Sequence, residues 1–263
     1  MYKIHNKMLT YYSITTYLYF YFFIKRELLV LHQLFASKFF IVLSLIILSG
    51  CSLNPDKSFR VETLAKSELD MVIDEHLNQA NAEAIALMKK LYKRNPRELK
   101  KAPKGTTVDT RVKQLFSFPR QVQFNELNKK YGNSALLNAF DENFKGDRVF
   151  SLMAGIAGIL HGSYNFQDEF FMLDTINEQK IYNSARNLET ASWLLNNKKD
   201  QQQQLFILSN SLGANTGNNL SYERLFGKLI ATQDILAQII ANRNNRTINK
   251  VLHGFASTTL LPI

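Results

Sequence analysis

Residues 61–94 constrain the fold most, because apolar and small side chains recur there at spacings of three and four residues. This periodicity places a continuous apolar stripe along one side of a helix, and Pro96 predicts where that helix ends. The stripe consists of Leu69, Val72, Ile73, Leu77, Ala80, Ala84, Leu87, Met88 and Leu91. A helix this long has to bury its stripe against other elements, so the segment predicts a domain built mainly of helices.

Shorter helices are predicted along the rest of the chain from their start signals. Thr106 and Ser221 have the residue type that caps a helix N-terminus, and Asp147 precedes a strongly apolar helix. Thr175 and Glu178 have the spacing of a capping box. The predicted helices span residues 106–117, 125–131, 134–140, 149–160, 175–196 and 221–240.

Two glycines interrupt the apolar helix 149–160, which we interpret as the core helix of the domain. Glycine weakens a helix, so Gly155 and Gly158 need a packing reason. The simplest reason is a neighbouring backbone that crosses the helix closely at these two positions.

Taken together, these patterns predict the fold class as all-α. We expect a single multi-helix bundle over residues 61–263, with roughly five to seven helices. Residues 119–124 and 205–209 allow two short strands. The apolar tail 260–263 is expected to pack against the domain.

A second apolar run, residues 39–48, predicts where the chain acts. It is too short to cross a bilayer, which takes roughly 20 apolar residues. It has the length of the hydrophobic region of an export signal, and Lys38 supplies the positive flank. The four residues that follow the run, Leu48-Ser49-Gly50-Cys51, resemble the lipobox of bacterial lipoproteins.

The lipobox resemblance implies that a signal peptidase recognises Leu48, Ser49 and Gly50 and cleaves before Cys51. It also implies that Cys51 carries a diacylglycerol and an acylated amino terminus, a double lipid signal that anchors a protein stably in a membrane. Cys51 is the only cysteine of the chain, so no other thiol could form a disulfide or bind a metal. The alternative interpretation is a buried apolar helix that ends in Gly-Cys.

Residues 51–60 are expected to form a lipidated polar tether. In the lipoproteins that this signal resembles, an aspartate directly after the cysteine often marks retention in the inner membrane, whereas this chain has Ser52. The resemblance therefore implies a cell-envelope protein anchored in the outer membrane and facing the periplasm. Its expected partners are the membrane, through the lipid anchor, and another envelope protein.

The signal-peptide region, residues 1–50, begins with a segment rich in tyrosine and phenylalanine. One interpretation is that translation starts further downstream, near Val30 or Leu31, which would place the basic flank close to the start, as in other export signals. The other is that residues 9–24 form an interfacial or membrane segment. Both interpretations leave residues 1–50 outside the folded domain.

The positive charge of the mature chain is concentrated in residues 89–104. This window holds eight basic residues and one acidic residue, Glu98. The formal net charge of the whole chain is +10, so most of the excess positive charge lies in this window. Pro96 and Pro103 predict that its second half is an extended loop. The candidate anionic-surface residues are Lys89, Lys90, Lys93, Arg94, Arg97, Lys100, Lys101 and Lys104. Their expected partner is an anionic lipid or glycan, since an exported domain meets little nucleic acid; the alternative is a solvated helix end.

Several strings of the mature chain resemble a family of proteobacterial lipoproteins. The strings are LYKRNPRE (91–98), GDRVFSLMAG (146–155), EFFMLD (169–174), QKIYNSARNLE (179–189) and ERLFGKLI (223–230). The likeness covers most of residues 61–263. It implies a lipoprotein with a helical domain, and it implies no catalytic residue, cofactor or metal.

Candidate catalytic chemistry is sparse, because the histidines are scattered and none has a metal-binding spacing. The best catalytic alternative is a general base formed by His161 with one of the nearby carboxylates Asp168, Glu169 or Asp174. A separate set, Asp147, Arg148, Arg186 and Glu189, is predicted to form a buried ion network.

Three functional hypotheses follow from the sequence. The leading hypothesis is a non-enzymatic envelope lipoprotein that binds a partner or supports envelope assembly. The second is a binding module for anionic lipid or polysaccharide through residues 89–104. The third is a hydrolase centred on His161, which requires that residue within hydrogen-bond distance of a carboxylate.

Overall fold

The structure is a computed structural model, and it describes residues 65–211, 219–250 and 259–263. The predicted signal region, the lipobox with Cys51 and the tether 51–60 lie outside these residues. All of the described residues belong to one compact unit, Val61–Ile263. Within them the chain is helical and forms no β-sheet, which confirms the all-α fold class.

Seven α-helices and one 3₁₀ helix follow one another along the described residues. The α-helices are α1 (Glu68–Arg94), α2 (Pro96–Leu99), α3 (Val108–Phe116), α4 (Asn133–Asn138), α5 (Arg148–Ser163), α6 (Glu178–Asn197) and α7 (Ser221–Arg243). The 3₁₀ helix is Asn125–Leu127, where a longer helix over 125–131 was predicted.

The long helix α1 begins at Glu68, so the predicted start at residue 61 is too early for the described part of the segment. Ser67 is the N-cap residue of this helix and forms a capping box with Asp70. Its side chain accepts a hydrogen bond from the Asp70 N–H, and the Asp70 carboxylate accepts one from the Ser67 N–H at 2.7 Å. The same device begins α3 at Thr107, one residue after the predicted Thr106.

Two other predicted start signals are wrong. The N-cap of α6 is Asn177 rather than Thr175, and its side-chain oxygen accepts hydrogen bonds from the backbone N–H groups of Gln179 and Lys180. Ser221 is the first residue of α7 and not its cap. The N-cap of α7 is Leu220, which makes no side-chain capping hydrogen bond.

The two segments predicted as short strands form no sheet. Residues 119–124 have no ladder partner among the described residues, and Leu205 makes a single isolated bridge with Lys199. A second isolated bridge pairs Ser211 with Asn219. Both predicted strands are connecting segments between helices.

The core helix is confirmed: every residue of α5 is buried. Asp147 caps it as predicted, accepting a hydrogen bond from the Phe150 N–H at 2.9 Å. Gly155 and Gly158 face the α4 region at close range. A Cβ atom on Gly155 would lie 2.6 Å from the Leu136 Cα, and one on Gly158 would lie 2.6 Å from the Gly132 Cα. The predicted close crossing is therefore present.

The described end of the chain packs on the domain, as predicted. The Asn187 side chain accepts a hydrogen bond from the Leu261 N–H at 2.7 Å and donates one to the Leu261 carbonyl at 2.9 Å. Leu260 and Ile263 contact the main hydrophobic core.

Helix α1 connects two opposite ends of the domain and, at 27 residues, is about 40 Å long. Near its C-terminus, the Tyr92 hydroxyl donates to Asp147 at the start of α5 at 2.7 Å. Near its N-terminus, the Asp74 carboxylate accepts a hydrogen bond at 2.9 Å from the Phe170 N–H, in the loop that follows α5. Helices α1 and α5 are therefore antiparallel, and residues 89–104 lie far from the start of α1.

Candidate functional site

The predicted anionic-surface residues lie at the C-terminal end of α1, on α2 and in the loop that follows. We call them the basic surface. Seven of the eight are exposed, while Lys90 is half-buried with its Nζ atom 5.1 Å from the centre of the Tyr222 ring. The predicted extended loop is wrong in its first part, because Pro96 begins the short helix α2. Proline suits the first position of a helix, where no backbone donor is needed.

Few charges of the basic surface are neutralised by neighbours. Four of its exposed cations form no ion pair with any described residue: Lys93, Arg94, Lys100 and Lys104. Lys89 lies 3.9 Å from the carboxylate of Asp109, and both side chains are largely exposed. These charges are available to an anionic partner.

The one acidic residue of the window, Glu98, does not lie on the surface. Its buried carboxylate accepts a hydrogen bond at 2.9 Å from the N–H of Arg148, at the N-terminus of α5. A carboxylate is favourable at a helix N-terminus. The same carboxylate accepts two hydrogen bonds from Lys101, at 2.8 and 2.9 Å. Glu98 thus fixes the basic surface to the core helix.

A charged cluster built around the buried residues Arg111 and Asp147 lies beneath this end of α1, with Glu126 at its solvent edge. The fully buried Arg111 guanidinium donates to both carboxylate oxygens of Glu126, at 2.5 and 2.7 Å, and lies 3.4 Å from the Asp147 carboxylate. The same guanidinium lies 3.8 Å from the centre of the Phe150 ring, in a cation–π contact. The Tyr92 hydroxyl completes the cluster through its bond to Asp147.

Burial dominates the ionisation of Asp147. It raises the pKa of this carboxyl to about 6, although the Phe150 N–H, the Tyr92 hydroxyl and Arg111 all favour the charged form. Burial is also the main reason that the pKa of Tyr92 is raised far above its ordinary value, so Tyr92 stays a hydrogen-bond donor.

The prediction of one buried ion network is wrong for the residues Asp147, Arg148, Arg186 and Glu189. Arg148 makes no pair with Asp147; its guanidinium donates to the backbone carbonyls of three residues between α4 and α5, at 2.7 to 2.8 Å. Arg186 and Glu189 do pair on α6, at 3.0 Å, and Arg186 also bonds Asp234 of α7 at 2.7 Å. Helix packing places these groups in two separate parts of the domain.

The sequence pattern did not identify Arg111 or Glu126. A signal for Arg111 was present, because it lies three residues after Val108 and four before Leu115, on the apolar side of α3. Glu126 lies in a turn beyond that helix, and no local spacing connects it to Arg111.

An open cleft of about 560 Å³ lies at the opposite end of the domain, beside the first turns of α1. Its walls combine carboxylates and amides with two exposed phenylalanine rings. The lining residues are Asp74, Asn78, Phe118, Phe166, Gln167, Asp168 and Glu169.

His161 lies next to this cleft but lacks the geometry that the hydrolase hypothesis requires. Its Nε2 atom is 4.0 Å from the Asp168 carboxylate, beyond hydrogen-bond distance, and Asp168 instead binds Arg120. The other two candidate carboxylates have partners of their own: Glu169 pairs with Lys66, and Asp174 accepts the Phe171 N–H.

His161 is also poorly suited to act as a base because water does not reach it. Its ring is buried, and among the described residues neither ring nitrogen meets a hydrogen-bond partner in good geometry. Burial, followed by the positive charge of Arg120, lowers the pKa of this imidazole. The hydrolase hypothesis therefore gains no support from the structure.

No group of three or more histidine, cysteine, aspartate or glutamate side chains among the described residues is placed to hold a metal ion. None of the helices in this part of the chain is both long enough and apolar enough to cross a bilayer.

Comparisons of the chain with protein-family models, with curated proteins and with solved structures find no match. The resemblance of its strings to proteobacterial lipoproteins therefore stays a prediction from the sequence. The function has to be argued from the lipobox pattern and from the surfaces of the helical domain.

Proposed function

We propose that this chain is a lipid-anchored protein of the bacterial cell envelope whose helical domain acts by binding a partner rather than by catalysis. The lipobox pattern ending at Cys51 supports the anchor, and Ser52 favours the outer membrane with the domain in the periplasm. The polar tether 51–60 connects the anchor to the domain.

The basic surface is the observation that favours a binding function. Positive charge near a folded surface is commonly neutralised by neighbouring carboxylates, but here four cations have no described ion-pair partner. The surface rests on a rigid base, because Glu98 and the N-terminus of α5 hold it in place. Charge that is both fixed and available suits electrostatic recognition of an acidic partner.

Crosslinking in intact envelopes tests whether the anchored protein binds another envelope protein. We expect the full-length lipidated protein to retain an envelope protein after purification, and the Cys51→Ala form to lose it because that form is no longer held at the membrane. Equal recovery of the same proteins with both forms would contradict an anchored interaction protein.

A second candidate function, binding of anionic lipid or polysaccharide, follows from the same surface. Near an anionic membrane each Lys or Arg contributes about 1 kcal/mol. Three of the unneutralised lysines together would therefore contribute about 3 kcal/mol, or roughly a 100-fold change in affinity. These charges would also favour binding to an acidic protein surface, although each exposed ion pair would contribute little free energy.

This candidate is tested by capture of anionic vesicles. The lipidated protein is placed in uncharged phosphatidylcholine vesicles and mixed with fluorescent vesicles rich in phosphatidylglycerol. A variant with Lys93, Lys100 and Lys104 changed to Gln is expected to lose capture by roughly 100-fold, from about 1 kcal/mol per lysine. The control variant removes three exposed cations elsewhere, Lys129, Arg243 and Lys250.

The control variant has the same net charge as the test variant, so a difference between them locates the binding. Capture that falls equally in both variants would show a general charge effect. Capture that persists in both, or that is insensitive to salt, would refute an anionic lipid as the partner.

A further inference from the structure

The most exposed large apolar side chains among the described residues lie in two loops. Leu173 is 95% exposed, Phe118 82%, Met172 62% and Phe166 61%. We call these four residues the apolar face. The next residue in order, Ile235 on α7, is 54% exposed. Large apolar groups that lie together on a surface indicate a binding site for another protein or for a membrane.

Two of these side chains lie against the first turns of α1. Phe118, after α3, and Phe166, after α5, line the same cleft as Asp74 and Asn78. Met71 belongs to this side of the helix as well, since it precedes Asp74 by three residues and Asn78 by seven.

The other two residues belong to a segment whose backbone is bonded to Ala65, the residue at which the described domain begins. The Met172 N–H donates a hydrogen bond to the Ala65 carbonyl at 3.0 Å, and Leu173 follows directly in the chain. The Nζ atom of Lys66 lies 4.8 Å from the centre of the neighbouring Phe171 ring. The apolar face therefore borders the point at which the chain continues towards Cys51.

The carboxylates of the cleft do not oppose an apolar contact, because each has a cationic partner. Lys66 pairs with Asp74 and with Glu169, and Arg120 pairs with Asp168. Both cations are nearly buried. Paired charges can approach a region of low dielectric at a smaller cost than isolated ones.

We propose that the apolar face binds the bilayer that holds the lipid anchor, with its side chains at the boundary between headgroups and acyl chains. This inference rests on the proposed lipidation of Cys51. Only thirteen residues separate Cys51 from Ala65, and they span at most about 45 Å. The tether therefore keeps the apolar face close to the membrane surface, where burial of exposed apolar groups is favourable.

The arrangement also selects the partner of the basic surface. If the start of α1 lies on the anchoring membrane, the basic surface lies at the other end of a helix about 40 Å long. It then faces the aqueous space, so its anionic partner is a molecule or membrane on the far side of the domain. The headgroups beneath the apolar face are not that partner.

The test measures the depth of a polarity-sensitive fluorescent probe in the full-length lipidated protein. The probe is attached to Leu173→Cys, and Cys51, whose sulfur carries the lipid, does not compete for it. Leu208→Cys is the matched control: Leu208 is another exposed leucine, but its N–H donates to Asn95 at the end of α1 that carries the basic surface.

Phosphatidylcholine vesicles that contain nitroxide-labelled lipid serve as the membrane. We expect quenching several-fold stronger at position 173 than at position 208, with a blue-shifted emission at 173 alone. Adding Phe118→Ser and Phe166→Ser to the Leu173→Cys protein is expected to weaken that quenching, and circular dichroism checks that the helices remain.

The other outcomes overturn the inference in distinguishable ways. Flotation with the vesicles reports the anchor independently of the probe. Proteins that float but show equally weak quenching at both positions refute the apolar face as a membrane contact and leave the anchor intact. A blue shift at 173 without lipid quenching shows that protein, such as a second copy, covers this face. Proteins that do not float refute the anchor and the inference together.

Discussion

The two ends of α1 differ both in their surfaces and in what supports them. At the C-terminal end, exposed lysines and arginines lie above a cluster of charged groups that centres on the buried residues Arg111 and Asp147. At the N-terminal end, exposed apolar side chains border a cleft, and Ile73 and Leu77 belong to a buried apolar cluster with Leu236. One helix thus connects a charged end to an apolar end.

The difference indicates how one domain can contact two environments. Charge available at one end suits an acidic partner in water, while the apolar end suits a lipid surface. The ion pairs of the apolar end are close to solvent, since the side chain of Glu169 is more than half exposed. At the other end the pair of Arg111 and Asp147 is fully buried, while Glu126 borders the solvent.

The largest expected effect comes from breaking the buried pair. Arg111→Met leaves the buried Asp147 without its cation, and removing one partner of a buried ion pair costs about 3–5 kcal/mol. Lys66→Met at the apolar end is the matched substitution and should cost about 1 kcal/mol, because water reaches its partners. Urea unfolding at neutral pH, followed by circular dichroism, measures both. Equal losses of stability in the two variants would show that the ion pairs at the two ends are buried to the same effect.

Acidification is expected to stabilise the charged end. The pKa of Asp147 is about 6 in the folded protein against an ordinary 3.8. As the pH falls from 6 to 4, the folded state takes up a proton that the unfolded state does not. The free energy of unfolding from this group therefore rises by about 2 kcal/mol between pH 6 and pH 4. Asp147→Asn keeps the helix cap and removes the titration, so the wild type should gain stability over this variant as the pH falls. Parallel pH profiles would contradict the raised pKa.

The apolar end is expected to respond to acid in the opposite direction. Burial lowers the pKa of His161 below its ordinary 6.5, so below that pH the unfolded state binds the proton first. The free energy of unfolding is therefore unaffected by this group above pH 6.5 and decreases as the pH falls below it. His161→Phe should therefore be more stable relative to the wild type at pH 5 than at pH 7.5. A constant difference between the two proteins would show that His161 titrates freely when folded.

The smallest expected effect separates binding from folding at the apolar face. Leu173→Ser should change the free energy of unfolding by less than about 0.5 kcal/mol, because an exposed side chain has few contacts to lose. Leu77→Ala, at the buried side of α1 beneath this end, should cost about 2–5 kcal/mol. Chemical unfolding of the two variants measures the contrast. A large loss in Leu173→Ser would mean that this loop supports the fold.

The sequence alone predicts the parts of the molecule that depend on local pattern. The stripe of α1 is buried from Ile73 onwards, although Val72, which was predicted to belong to it, is exposed. The close crossing at Gly155 and Gly158 is present. Helix starts were less accurate, since Asn177 rather than Thr175 caps α6. Thr175 and Asn177 are both residue types that cap helices and lie two positions apart, so the local pattern does not distinguish them.

The surfaces were harder to predict because they depend on tertiary structure. The basic surface is visible as a charge run, but the buried role of Glu98 depends on the N-terminus of α5, fifty residues away. The apolar face combines Phe118 with the loop after α5. Within that loop Phe170 is buried and Leu173 is exposed, although both belong to one apolar run.

The most direct test of the account is the mass of the N-terminal peptide of the protein purified from its membrane. The account predicts a mature chain that begins at Cys51, with a diacylglycerol on the sulfur and a fatty acid on the amino group. A chain that retains residues before Cys51, or one with an unmodified thiol, would contradict the lipid anchor. The membrane contact proposed for the apolar face would then be refuted as well.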